Sequence, residues 1–201
     1  DIKIKNPYNW FKIPQANTKE IYLDHEELDA MRKLRSQFSH SSTMYQVLQM
    51  YLFACYCGLR FSDVIDLKWK HIDFENKIIK KKMIKTKSEV ITPLFTMARA
   101  VVLELSDSKK LFGSSKNVFH RFAEPTVNKN LAKLTEMAGI EKHITYHSSR
   151  HTFATHLVQD KVDIFTISKY LGHKSIEMTM RYLKYDLSIA VESAKEIKTF
   201  G

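Results

Sequence analysis

Met44, Val47, Leu48, Tyr51, Leu52 and Cys55 recur at the three- and four-residue spacing of an α-helix. Thr43 can cap its start, and Gly58 stands where its last turn would need a left-handed residue. The stretch predicts a core helix, which commits its neighbours to pack around it. The chain has 201 residues, enough for one domain with a real core or two very small ones. Its 44% hydrophobic and 11% aromatic content belongs to a folded globule.

After that helix, Leu59-Arg60-Phe61-Ser62-Asp63-Val64-Ile65-Asp66-Leu67 starts a short helix at Phe61 or Ser62, ending near Trp69. Arg60 is thereby held at a junction between two helices. The junction fixes backbone direction and leaves the side chain free to point at a ligand. Asp63, one turn on, can orient it. Taken alone, an arginine here is more often a surface residue.

The hydrophobic period then changes. His71-Ile72-Asp73-Phe74 alternates, Lys77 to Lys85 reads as a strand, Thr86 to Glu89 as a polar turn, and Val90-Ile91-Thr92 as a third strand before Pro93. This is a small antiparallel meander. Its middle strand carries Lys77, Lys80, Lys81, Lys82 and Lys85, which suits an edge protected against aggregation or a groove wall that meets phosphates. Lys85 or Lys87 stands at the tip of the turn.

Around these lie further helices. Asp24 with Glu27 marks a start that runs to about Ser36, and Thr96 to Leu105 is helical with Ala98, Val101, Val102 and Leu105 inward. Asn117 to Phe122 reads as a short helical turn. Thr126 to Ala138 is a helix with Leu131, Leu134 and Met137 inward, stopped by Gly139, and it carries Lys129 and Lys133 one turn apart. Asp163 caps a helix through Ile164, Ile167 and Leu171, ending at Gly172 before His173. Ser175 caps the next, Ile176 to Leu183, with Arg181 and Tyr182 on it.

The segment from His147 to Val158 carries the strongest chemical signal. Thr145 can cap its helix. Arg150, Ala154 and Leu157 then fall on one stripe, with Phe153 and Val158 beside it, so an arginine lies at the edge of an apolar face. A half-buried guanidinium needs an anion or dense hydrogen bonding. No carboxylate lies within the segment, so the partner comes from elsewhere in the fold or from a ligand. A phosphate fits, and a structural ion pair flanked by surface histidines fits about as well.

The formal charge is +10, from 32 Lys and Arg against 22 Asp and Glu, which favours a polyanionic partner or serves solubility alone. No apolar run is long enough to span a bilayer, and no signal peptide is visible at the start. Cys55 and Cys57 read as buried free thiols of a reducing compartment. There is no Gly-rich phosphate loop, which leaves a nucleotide-binding enzyme poorly supported. The expected fold is mainly α with a small three-stranded antiparallel sheet at one edge. Residues 1–20, irregular and beginning with Asp, read as the linker from an upstream domain; residues 21–186 form the domain itself, and the mildly amphipathic 187–201 a tail helix.

Arg60, Lys85, His147, Arg150, His173 and Tyr182 are the residues whose chemistry combines. Two arginines offer forked donors to the oxygens of a pentavalent phosphoryl transition state. A lysine can protonate a leaving hydroxyl, histidines can donate hydrogen bonds or relay protons, and a tyrosine oxygen can attack phosphorus. Cationic side chains in this number need no metal beside them.

These motifs resemble the catalytic domain of the tyrosine recombinases, the phage-type site-specific integrases, from about residue 20 to residue 185. Gly58-Leu59-Arg60-Phe61-Ser62-Asp63, with Leu67 and Trp69, is similar to the first-arginine motif, and Asp63 stands at the supporting acidic position, often glutamate in the family. Lys85-Thr86 ahead of Pro93 resembles the β-hairpin lysine motif, with Lys87 two residues away. His147-Ser148-Ser149-Arg150 resembles the His-x-x-Arg box, and Leu171-Gly172-His173 the box with the second histidine. Tyr182 then stands at the nucleophile position, nine residues after His173, with Tyr185 as a decoy almost one turn away.

The resemblance implies strand cleavage through a 3′-phosphotyrosyl link, with no cofactor and no ATP, passing through a Holliday junction. It implies double-stranded DNA with specific recombination sites as partner, a homotetramer on two duplexes, accessory DNA-bending proteins, and exchange of the C-terminal tail between protomers. Lys80, Lys82, Lys87, Lys129, Lys133 and Arg181 are the candidate DNA-backbone contacts. The lysine-rich block points to an integrase of a mobile genetic element, such as a conjugative transposon or prophage, working in the bacterial cytoplasm at the nucleoid. A type IB topoisomerase shares the chemistry, and a non-catalytic DNA-binding module would explain the charge without the ordered motifs. A metal site using His147, His151 and His156 is conceivable, but only His147 and His151 share a face, and they lack a third convergent ligand.

Overall fold

The structure, a computed structural model, describes residues 21–106 and 111–182. Its axis is α2 (Thr43–Cys57), in which eleven of fifteen residues are buried; such a helix is enclosed on all sides and has no solvent face of its own. Ser42, one residue before the expected cap, accepts the Tyr45 amide, because it alone keeps the extended backbone a cap requires. Gly58 ends the helix in the left-handed region at φ +68°. A Cβ there would collide with the Phe153 ring.

Helices α1 (His25–Lys33), α4 (Thr96–Glu104), α5 (Glu124–Met137) and α6 (Ser148–Gln159) pack around α2. The capping box of Asp24 and Glu27 forms as expected, and a 3-10 turn over Leu34–Gln37 prolongs α1. Helix α5 begins earlier than expected, with Pro125 in its first turn. It buries Leu131, Leu134 and Thr135, while Met137, expected inward, is 48% exposed because the core ends a turn before the helix does. Beyond α2 come the short α3 (Phe61–Ile65), a 3-10 turn at Trp69–His71, α7 (Ile164–Leu171) and α8 (Glu177–Met180).

The sheet has the order β1-β2-β3, with β1 (Ile72–Asp73), β2 (Ile78–Lys82) and β3 (Glu89–Pro93) antiparallel throughout. The mainly helical fold with a three-stranded antiparallel sheet is thus as expected. The lysine-rich strand is central, so edge protection does not explain its charge. Period-two alternation divides it: Lys80 and Lys82 face out, while Lys81 is buried and bonded to Asp66 at 2.7 Å.

Further local expectations fail. Asn117–Phe122 is not helical; Asn117 instead pairs with Lys68 in an isolated bridge, which satisfies backbone groups a helix would have used. Thr145 does not cap α6; its own amide donates to Ser148 Oγ, and His147 takes the cap position without a side-chain bond. Ser175 does not cap the short helix expected from Ile176 to Leu183 either: Ile176 takes the cap position, and α8 spans only Glu177–Met180. The linker over 1–20 and the tail over 187–201 lie outside the described residues. Among the described residues, no helix is long and apolar enough to cross a membrane.

Candidate functional site

A second, smaller core joins α6, α7 and the turn after α8: Phe153, Ala154, Leu157, Val158, Ile167, Leu171 and Tyr182. The candidate residues gather where this core meets the C-terminal end of α2. Arg150 is the joint. It is 3% exposed, and its partners are carbonyl oxygens rather than a carboxylate. One guanidinium nitrogen donates to the Gly58 carbonyl at 2.6 Å and another to the Leu171 carbonyl. Both oxygens belong to helix C-termini, which have unsatisfied acceptors and carry the negative end of the helix dipole. Arg150 therefore ties α2 to α7 while keeping its full charge uncompensated by any acid at those two bonds.

Arg60, the residue that enters α3, lies within the field of Asp63 and Tyr182, and its buried Nη1 has no hydrogen-bond acceptor among the described residues. Burial lowers its basicity. Burial and the neighbouring Arg60 bring Arg150 down to about 9, still protonated at neutral pH. Such crowding of cations costs free energy until an anion enters.

Asp63 is fully buried, and its Oδ1 accepts the Ile84 amide at 2.8 Å. The acid next to Arg60 thus also anchors the β2–β3 turn that carries Lys85. That turn is closed by Met83 and Lys87 backbone bonds and by the Thr86–Ser88 hydroxyl pair. Lys85 is exposed at its tip, and its charge reaches His147. Lys87 sits in the left-handed region at φ +59°, turning the chain back into β3. On the other side, Gly172 is packed so closely on Val90 that a Cβ would lie 2.5 Å from Cγ2. The hairpin and the His173 turn are thereby locked together.

The histidines are held neutral. Burial, then Arg150 and other cations, lowers His147. Burial pushes His173 down to about 3, with Arg150, Arg60 and Arg181 adding to it. His151 falls to about 3 through burial and the field of His147. Its ring packs edge-on to His147 at 4.6 Å between centroids and lies 5.7 Å from the Tyr182 ring. His173 Nδ1 is 2.7 Å from Thr179 Oγ1.

Tyr182 is 2% exposed, and its buried hydroxyl has no hydrogen-bond partner among the described residues. Its charge, were it ionised, would act on both Arg60 and Arg150. Arg181 covers its ring at 5.3 Å. Tyr185 lies outside the described residues. Lys80, Lys82, Lys129 and Lys133 are exposed, and Lys80 reaches Glu89 at 3.6 Å. Among the described residues no cluster of three metal-ligating side chains exists; His156, weighed above with His147 and His151, instead bonds the Leu23 carbonyl and stacks on His25.

The sequence pattern named the six candidates and Asp63 as their support, but not the backbone groups that seat Arg150. The two carbonyls that seat Arg150 are backbone atoms without side-chain signature. Thr179 could have been found, because three residues before Tyr182 is the same helical face.

The profile of the phage integrase family matches residues 22–187. A tyrosine recombinase XerC of Rickettsia bellii (strain OSU 85-389) is 29% identical over 193 residues, covering 90% of this chain and 59% of its own. A tyrosine recombinase of Pseudothermotoga lettingae is 32% identical over 191 residues, covering 90% and 63%. The chain thus spans about six tenths of the length of these curated relatives. Among solved structures, a XerA recombinase aligns at TM-score 0.68 with 24% identity over 91% of this chain and 67% of its own. The catalytic domain of bacteriophage HP1 integrase aligns at 0.64 with 20% identity over 90% and 97%. The Tn1549 transposon integrase, in complex with circular intermediate DNA, aligns at 0.66 with 19% identity over 82% and 63%.

Proposed function

Because this chain belongs to the phage integrase family, the tyrosine recombinases, we propose that it is the catalytic part of a site-specific DNA recombinase. The observation that carries the reading is a pair of buried donors, Arg60 Nη1 and the Tyr182 hydroxyl, that have no acceptor among the described residues and lie beside a second guanidinium. Burying unmatched donors is costly, and a phosphodiester supplies the missing acceptors.

In this reading Arg60 and Arg150 bind the nonbridging oxygens, and neutral His147 and His173 complete the cage. The Tyr182 oxygen attacks phosphorus while the bond to the 5′ oxygen breaks. Lys85 gives that oxygen its proton, and the phenol proton passes to a neutral imidazole of the site. The 3′-phosphotyrosyl link keeps the phosphodiester energy, so the reverse attack by a partner strand's 5′ hydroxyl needs neither ATP nor a metal. Asp63 positions Arg60 and the Lys85 turn together. Lys80, Lys82, Lys87, Lys129, Lys133 and Arg181 would follow the DNA backbone. XerH and the Tn1549 integrase, which share the fold, were solved bound to a difH substrate and to circular intermediate DNA; in this reading the present chain acts on double-stranded DNA with specific recombination sites, as a homotetramer on two duplexes. Residues 1–20 would link to an upstream domain closing around the duplex, and removing residues 187–201 would alter assembly on DNA.

Covalent trapping on a nicked suicide duplex carrying the source element's recombination site tests this, with Tyr182→Phe and Tyr185→Phe alongside. An adduct lost only in Tyr182→Phe is expected. Loss only in Tyr185→Phe would move the nucleophile by one turn. No adduct with the upstream domain restored, despite DNA binding, would leave a binding module.

A further inference from the structure

His173 has a second neighbour whose chemistry matters, and the inference drawn from it rests on the reading above. Burial among Arg150, Arg60 and Arg181 keeps the ring neutral. A neutral imidazole has one N–H and one bare nitrogen, so its tautomer decides which edge donates. To give a hydrogen bond to a phosphate oxygen from Nε2, the ring must leave Nδ1 bare. A carbonyl or carboxylate at Nδ1 would demand the opposite tautomer and turn a lone pair towards the anion. The group found there is a hydroxyl: Thr179 Oγ1 lies 2.7 Å away, on a residue with no solvent exposure. A hydroxyl can donate to the bare nitrogen.

We propose that Thr179 is a positioning residue that donates its hydroxyl proton to His173 Nδ1 and so sets His173 as an Nε2–H donor towards the scissile phosphate. Thr179 also sits on α8, three residues before Tyr182, and its amide is fixed to the Ile176 carbonyl. Seating the segment that carries the nucleophile and setting the histidine tautomer are then one event. A protomer whose α8 is displaced loses both at once, which limits the assembled cage to protomers with Tyr182 in place.

The tautomer is read directly from two-bond ¹H–¹⁵N correlation of the imidazoles in the free protein at neutral pH, assigned with His173→Asn. A bare Nδ1 and protonated Nε2 are expected in wild type and in Thr179→Ser. In Thr179→Val, which keeps the shape and removes the hydroxyl, that preference should fall. Adduct formation on the nicked duplex should slow by about tenfold, the worth of one hydrogen bond, at unchanged DNA affinity, with serine restoring it. A protonated Nδ1 in wild type would overturn the proposal, and so would Thr179→Val with wild-type tautomer and rate. If valine prevents folding, the wild-type and serine spectra still decide. If wild type forms no adduct even with the upstream domain restored, the recombinase reading falls while the spectra continue to test the tautomer.

Discussion

Gly58→Ala probes the joint between the core helix and the site. Its φ of +68° is a conformation in which a Cβ costs about 1–2 kcal/mol. The added methyl would also run into the Phe153 ring, with Cε1 at 2.8 Å and Cδ1 closer still. Overpacking of this kind costs about 1–3 kcal/mol. The two together amount to about 3 kcal/mol, or a fall in Tm of roughly 6–12 °C for a domain of this size. Gly139→Ala separates the contributions: Gly139 has φ +71° but nothing within 4 Å of its Cβ position, so it should show the backbone cost alone. Urea unfolding with an unchanged slope would give both values. Because the Gly58 carbonyl seats Arg150, Gly58→Ala should also weaken the stabilisation that added phosphate gives the protein. Phe153→Leu should cost less in the Gly58→Ala background than alone, since it relieves the collision. If Gly58→Ala is no more damaging than Gly139→Ala, the seat of Phe153 against α2, and with it the account of how Arg150 is held, is refuted.

Tyr182→Phe removes a buried hydroxyl with no partner among the described residues, so it should melt no lower than wild type while forming no adduct with DNA; a clear loss of stability would mean the hydroxyl is bonded. Asp66→Ala leaves the buried Lys81 ammonium with only a backbone carbonyl at 3.4 Å and should cost about 3 kcal/mol, whereas Lys81→Met should cost less, as urea midpoints would show. His151 and His173, near 3 in the folded protein against 6.5 as the ordinary value, must take up protons on unfolding in acid. Stability should therefore be at its full value above about pH 6.5 and decline from there towards pH 3; urea midpoints that do not change between pH 7 and pH 5 would contradict this. Asp63→Ala should speed hydrogen exchange at the Ile84 amide by loosening the Lys85 turn, and unchanged exchange would show that the turn holds without it.

Apolar residues at three- and four-residue spacing, with a left-handed stop at Gly58, made α2 visible, while its burial on nearly every side came only with the packing of its neighbours. Alternation likewise revealed the three strands, and the order and spacing of the motifs picked out Arg60, Lys85, His147, Arg150, His173 and Tyr182. Sequence could not show that the lysine-rich strand is the middle of the sheet, since strand order is a matter of which backbones pair. It missed the Lys68–Asn117 bridge for the same reason and took Asn117–Phe122 for a helical turn. The partner of Arg150 was open between a carboxylate and a ligand. Tertiary structure supplied neither, but two helix-end carbonyls, Gly58 and Leu171, 92 and 21 residues away along the chain. Residue type and local spacing fix which groups can do the chemistry. Only packing decides which backbone oxygens, hydroxyls and buried acids hold them, because those contacts join segments that share no periodicity.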